Sequence, residues 1–311
     1  MNEAATTTTT AADAARACTA LAAPRFELLP IKGVHERASA LPAGATVTVT
    51  CSPRHGIERT LDTAEGLAAA GFRVVPHVAA RLIRDRHHLQ AVLERMAAAG
   101  IDDCFVVGGD AERPAGPFPG GVELLDTLAG ASPRPARIGV PAYPEGHHRM
   151  DTRTLDAALS AKAANADYVV TQLCFESAPV LEWLRRQRER GLTLPVLAGI
   201  PGVMDRRRLL SVAVRIGIGD STRALGRQRG LVGRLIHSGE YRGDDLVWGL
   251  VDGLGDPVQG LAGVHVYTFN EVAATRDWLT TLHDGLCQWH GLSAEAEVAA
   301  GTAGVHAEQP G

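Results

Sequence analysis

Eight short runs of β-branched and apolar residues recur along this chain, each followed by a longer Ala/Leu/Arg segment. The runs cover residues 25–29, 46–50, 73–77, 104–107, 138–141, 168–171, 196–200 and 264–267. Strands this apolar cannot leave one face in water, so they belong to a parallel sheet covered by helices. Eight strand–helix units in one domain favour a closed (β/α)8 (TIM) barrel over an open doubly wound sheet. The spacing predicts helices over 61–70, 88–99, 155–164, 178–190 and 206–215. Gly71, Gly100 and Gly191 stand where helix ends need glycine, and Ser177 and Asp205 are natural N-caps.

No linker interrupts residues 24–292, which are read as a single barrel domain. Residues 1–23 are a low-complexity Ala/Thr tail, expected to be disordered, and 293–311 a small, polar, flexible tail, expected to be disordered or a loosely docked end. The N-terminal stretch lacks a basic segment followed by a continuous apolar one, so it does not read as a signal peptide. No apolar run approaches the roughly 20 residues that span a bilayer. A soluble cytoplasmic protein without a membrane partner is the expectation.

Composition narrows the chemistry. The net charge of −4 gives no basic surface for nucleic acid. Lys32 and Lys162 are the only lysines, so few amines are available for a Schiff base. The five cysteines are scattered with no CxxC pair, which fits reduced thiols better than a disulfide framework.

In a parallel α/β barrel the C-terminal ends of all strands meet at one mouth, and that is where chemistry is done. Here those ends carry Glu27, Thr50, His77, Asp110, Tyr143 to His147, Gln172 and Asn270. Glu27 lies between Phe26 and Leu28, so it is either a carboxyl poised as a general acid or one arm of a structural salt bridge. Asp110 follows Gly108 and Gly109, whose bare backbone lets a flat ligand approach; the other role for Asp110 is a helix cap, but Pro114, Pro117 and Pro119 argue for a loop. The Gln172 amide both donates and accepts, which suits a heterocycle such as a pterin or an interior hydrogen bond. Glu145, His147 and His148 match no strong metal-ligand spacing, and no metal is expected. No GxGxxG follows a strand, so no Rossmann-type site is indicated.

With these residues in order, the chain resembles the methylenetetrahydrofolate reductase family. The matching segments are Phe26-Glu-Leu-Leu-Pro30, Val47-Thr-Val-Thr50, Pro76-His77, Val106-Val-Gly-Gly-Asp110, Ala142-Tyr-Pro-Glu-Gly-His147, Ala166-Asp-Tyr-Val-Val-Thr-Gln172, Gly199-Ile-Pro201 and His265-Val-Tyr-Thr-Phe-Asn270. The resemblance implies a barrel that binds FAD at its mouth and reduces 5,10-methylenetetrahydrofolate to 5-methyltetrahydrofolate with NADH or NADPH, in one-carbon metabolism and methionine biosynthesis. It implies that Glu27 is the general acid and that Asp110 is the carboxylate near flavin and pterin. Thr50, His77, Ala142, Tyr143 and His147 match FAD contacts, with Gly108, Gly109 and Lys162 beside them. Gln172 and Asn270 would meet the folate. The family also forms dimers and tetramers, so a homo-oligomer is compatible.

The chain departs from the family pattern at several anchoring positions. Gly108 stands where the family has arginine before Gly-Asp. Lys162 is one residue out of step with the family lysine, whose place Ala161 takes. Leu173-Cys174 replaces an aromatic pair, and Glu271 a basic residue. Alternative readings are therefore a flavin-independent reductase, a non-catalytic folate-binding relative and, with less support, a barrel lyase.

Overall fold

The computed structural model describes residues 11–147, 150–205, 240–256, 258 and 260–305. The helix expected over 206–215 and the residue His148 lie outside the described residues. Seven strands come first: β1 (Arg25–Leu28), β2 (Thr46–Val49), β3 (Arg73–Ala79), β4 (Asp103–Val107), β5 (Arg137–Ala142), β6 (Tyr168–Thr171) and β7 (Val196–Pro201). A small antiparallel ribbon follows, β8 (Met204–Asp205) with β9 (Glu240–Tyr241), and then β10 (Leu261–Tyr267). Strands β1 to β7 and β10 close a parallel barrel, with β10 pairing back onto β1. Each expected strand is present within a few residues of its expected ends, and the (β/α)8 architecture is that of a TIM barrel.

Alternation along each strand sorts its side chains. Phe26 and Leu28 of β1 join the large core between strands and helices, whereas Arg25 and Glu27 do not. Val75, Phe105, Tyr168 and Val170 form a separate cluster inside the barrel. Near the barrel floor the Tyr168 hydroxyl donates to Asp103 at 2.8 Å, and the Arg25 guanidinium lies 4.2 Å from the Tyr168 ring centroid. Gly139 makes room for that ring: a Cβ there would lie 2.3 Å from it. Two residues further along the same strands come Glu27 and His77, which therefore share an inner layer nearer the mouth.

The covering helices are α1 (Ala11–Leu21), α2 (Val34–Ala38), α3 (Gly56–Ala69), α4 (Arg86–Ala98), α5 (Gly121–Ala129), α6 (Thr152–Ala163), α7 (Ser177–Glu189), α8 (Asp244–Leu250) and α9 (Val272–Val305). Asp85 caps α4 by accepting from the His88 N–H at 2.7 Å, and Asp151 caps α6 in the same way through Thr154. Gly71 and Gly100 take left-handed φ angles of 89° and 69° just past α3 and α4, as expected. Ser177 is the first residue of α7 rather than its cap, and Glu176 occupies the cap position without a capping side-chain bond.

Three readings change. Residues 11–21, expected in a tail, form α1, with Ala14, Ala17 and Leu21 buried. Its alanines allow close approach to a neighbouring helix, which composition alone does not distinguish from low complexity. Helix α9 continues through Ser293 to Val305, where the second tail was expected. Cys18 of α1 and Cys287 of α9 form a disulfide, not two separate thiols. A separation of 269 residues leaves no spacing signal for it. No helix among the described residues is long and apolar enough to cross a membrane.

His77 shows what the interior does to a titratable group. Its ring lies 4.9 Å from that of Phe105, and burial lowers its pKa from 6.5 to about 4. The folded chain thus resists a proton that the unfolded chain accepts below about 6.5, so stability is full above that pH and falls as pH drops towards 4. Between pH 6.5 and 4.5 the native protein is expected to lose about 2 kcal/mol more than His77→Gln, measured by urea unfolding at each pH. Equal losses would show that His77 does not titrate in this way.

Candidate functional site

Strand and loop ends at the barrel mouth enclose a cavity of about 1030 Å3, at the upper end of the range for cofactor sites. Its walls include Glu27, Thr50, His77, Gly108, Gly109, Asp110, Ala142, Tyr143, His147, Lys162 and Gln172. The structure thus brings together every expected site residue except Asn270. That residue is buried, and its side chain bridges the backbone of Leu29: Oδ1 accepts the N–H at 2.8 Å and Nδ2 donates to the carbonyl at 3.1 Å. Asn270 is a clamp between the loops after β1 and β10, and its neighbour Phe269 lines the cavity instead. The clamp requires left-handed backbone at both residues, with φ of 49° and 67°.

Glu27 is the centre of the mouth. Its Oε2 lies 3.2 Å from His265 Nε2 and 3.6 Å from His77 Nε2. Its backbone carbonyl accepts from the Thr268 hydroxyl. Both histidines are buried, and the depressed pKa keeps His77 uncharged near neutrality. His265 Nδ1 is buried without a hydrogen-bond partner among the described residues, so its ring is committed to Glu27 through Nε2 alone. The contact leaves Glu27 Oε1 for a ligand. Among the described residues Glu27 forms no ion pair with an arginine; Arg25 pairs with Asp103 instead. Tyr267, level with Glu27 in the pairing of β10 and β1, donates to the Thr171 carbonyl and adds an aromatic wall.

Asp110 is held by its loop. Gly109 has φ 90°, and a Cβ there would lie 3.1 Å from the Ala79 side chain. Arg81 organises the chain that follows: Nε donates to the Ala111 carbonyl, Nη2 to Glu112 and Nη1 to Pro119. Asp110 therefore sits in a loop, not at a helix cap, and α5 starts only at Gly121. Burial raises the Tyr143 pKa, and the nearby Asp110 charge adds to it. The Tyr143 ring meets His147 edge-on, with centroids 5.0 Å apart. Gln172 Oε1 accepts from the Leu173 N–H at 2.8 Å, which leaves its NH2 for a ligand. The Glu145 carboxylate accepts from the backbone N–H groups of Phe175 and Glu176, tying two mouth loops together.

A flavin dinucleotide can be tested against this cavity. Its volume and its partly aromatic, glycine-lined wall suit a planar ring. The charged end is thinner. Lys162 donates to the Pro141 carbonyl at 2.7 Å, and burial lowers its pKa to about 8. Arg81 is committed to three carbonyls. Arg186 is the wall cation that keeps a buried nitrogen, Nε, without a hydrogen-bond partner, with Glu182 3.9 Å away. A Cβ at Gly108 would meet nothing within 4 Å, so the place of the family arginine is open space. The residues fit the group, with Arg186, ion-paired to Glu182, as the wall cation for its diphosphate.

Sequence reasoning missed His265, Tyr267, Arg81 and Arg186. The first two were signalled by parity, since both share the inward face of β10. Nothing in the sequence separates Arg81 and Arg186 from the other arginines.

A family model described as methylenetetrahydrofolate reductase matches residues 28–216. A Caenorhabditis elegans protein described as a probable methylenetetrahydrofolate reductase (NADPH) is 31% identical over 134 residues, covering 39% of this chain. The match spans only 19% of that relative's length. Among solved structures, a lyase/mutase of Burkholderia cenocepacia J2315 is 15% identical with a TM-score of 0.45, covering 85% of this chain and 83% of its own. Dihydropteroate synthase from Thermus thermophilus is 19% identical with a TM-score of 0.40, covering 84% and 94% respectively. The family match takes in more than half of the chain, from the end of β1 through β7, with every expected site residue except Glu27 and Asn270, and this chain belongs to the methylenetetrahydrofolate reductase family.

Proposed function

We propose that this protein is an oxidoreductase of one-carbon metabolism, reducing 5,10-methylenetetrahydrofolate to 5-methyltetrahydrofolate with NADH or NADPH through bound FAD. The observation that carries the proposal is Glu27, inside the barrel mouth, with one carboxylate oxygen fixed by His265 and the other left for a ligand. Bound FAD would supply a carrier that takes hydride from the nicotinamide and passes it to the folate.

The chain's own residues prepare the folate. Opening the five-membered ring of the substrate yields an iminium, the hydride acceptor, and requires a proton on the departing nitrogen. Glu27 Oε1 delivers that proton. His265 Nε2, on the other oxygen, holds the carboxyl in one orientation through both protonation states. Uncharged His77 lines the same pocket without competing as a cation. The NH2 of Gln172 and the carboxylate of Asp110 are the groups offered to the pterin ring, and Tyr143 and Tyr267 restrict water. Holding flat reactants face to face is the larger part of such catalysis.

A second reading has specific support: hydride transfer directly from nicotinamide to folate, without flavin. It rests on the empty space at Gly108 and on the Lys162 ammonium being bound to Pro141. The two readings share the role of Glu27.

Glu27→Gln keeps shape and hydrogen bonding but removes the proton. It is expected to lower kcat by about 10²–10⁴-fold, with folate affinity, read by fluorescence quenching, nearly unchanged. Equal turnover in both forms would remove Glu27 from the chemistry. Gly108→Arg adds a cation where there is room for one, and is expected to tighten FAD at least tenfold in an absorbance titration (about 1.4 kcal/mol). Unchanged or weaker FAD binding in that variant would mean that the diphosphate does not lie near residue 108.

A further inference from the structure

Outside the wall of the mouth cavity, three metal-type ligands converge. Cys18 comes from α1, and His283 and Cys287 lie one turn apart on α9. We propose that, with the disulfide reduced, Cys18, Cys287 and His283 form a site for a tetrahedral thiolate-binding cation of the zinc type, joining the first helix to the last.

Geometry carries this further than the residue types alone. His283 Nε2 lies 3.6 Å from Cys18 Sγ and 3.5 Å from Cys287 Sγ. Zinc bonds of about 2.3 Å to sulfur and about 2.0–2.1 Å to nitrogen, at tetrahedral angles, put nitrogen and sulfur ligands about 3.6 Å apart. Both nitrogen–sulfur edges of the site are therefore already set. Only the sulfur–sulfur edge must open, and reduction of the Cys18–Cys287 bond opens it.

The outer contact is also that of a ligand histidine. His283 Nδ1 lies 3.4 Å from the Asp284 carboxylate. A proton on Nδ1 shared with that carboxylate leaves the Nε2 lone pair directed at the two sulfurs. Two soft sulfurs and one imidazole select zinc-type ions over hard cations. The described residues contribute three of the four ligands of such a site.

The chemistry balances with a dithiol reductant. The disulfide gains two electrons and two protons, and the reductant becomes a disulfide. Metal binding then displaces the two thiol protons as the thiolates form. Oxidised and metal-bound states exclude each other, because each uses the same two sulfurs.

The test uses the full chain, reduced with a dithiol, stripped with a chelator, exchanged into buffer without either, and titrated anaerobically with Co2+ and then Zn2+. One Co2+ per chain is expected, with a thiolate-to-cobalt charge-transfer band and tetrahedral d–d absorption, both bleached by Zn2+. The oxidised protein is expected to show neither. Cys18→Ser should abolish the charge-transfer band or halve it, and His283→Ala should weaken Co2+ at least tenfold; native circular dichroism in either variant shows that the fold is intact. Absence of the bands in the reduced protein, or bands unchanged in both variants, would overturn the proposal.

Discussion

The contact between Glu27 and His265 ties the barrel seam together at its mouth. It joins the first barrel strand to the last across the seam where β1 pairs with β10. A carboxylate inside a barrel needs a partner that neither leaves it unsatisfied nor locks it into an ion pair. A buried imidazole meets that requirement, since it can face either protonation state through one nitrogen. The rest of the mouth is arranged around this pair. His77 stands beside it, Tyr267 walls it, and the Asn270 clamp fixes the two loops that leave β1 and β10.

Two-residue periodicity explains how so short a strand does this. Arg25 and Glu27 share one face, so the register that puts Arg25 at the barrel floor also sets the direction of the Glu27 carboxyl. A one-residue slip in β1 would send Glu27 into the helical layer and Phe26 into the barrel. The register is held by Phe26 and Leu28, both buried against the helices. Function at the mouth thus rests on apolar packing outside the barrel.

That dependence made much of the protein legible from sequence. Apolar runs ending in polar residues are visible without alignment; they located all the barrel strands, and eleven of the twelve expected site residues line the cavity. What stayed hidden was set by contacts between distant segments. The family resemblance makes Asn270 a folate contact, but only the fold shows that Leu29 already occupies both of its polar ends. Arg81 reads as one more surface arginine until the loop carbonyls that it gathers are in place. Helix α1 looks like low-complexity sequence because small residues suit both disorder and tight helix packing, and the Cys18–Cys287 bond follows only once α1 meets α9.

The central claim is that this mouth reduces a methylene group carried by tetrahydrofolate. The direct measurement is a single incubation of the purified protein with FAD, NADH or NADPH deuterated at the transferring position, and 5,10-methylenetetrahydrofolate, read by mass spectrometry. The account predicts 5-methyltetrahydrofolate formed at many turnovers per chain. Its absence with either nicotinamide, with the folate shown to be bound, would contradict the account and leave a folate-binding barrel without reductase chemistry.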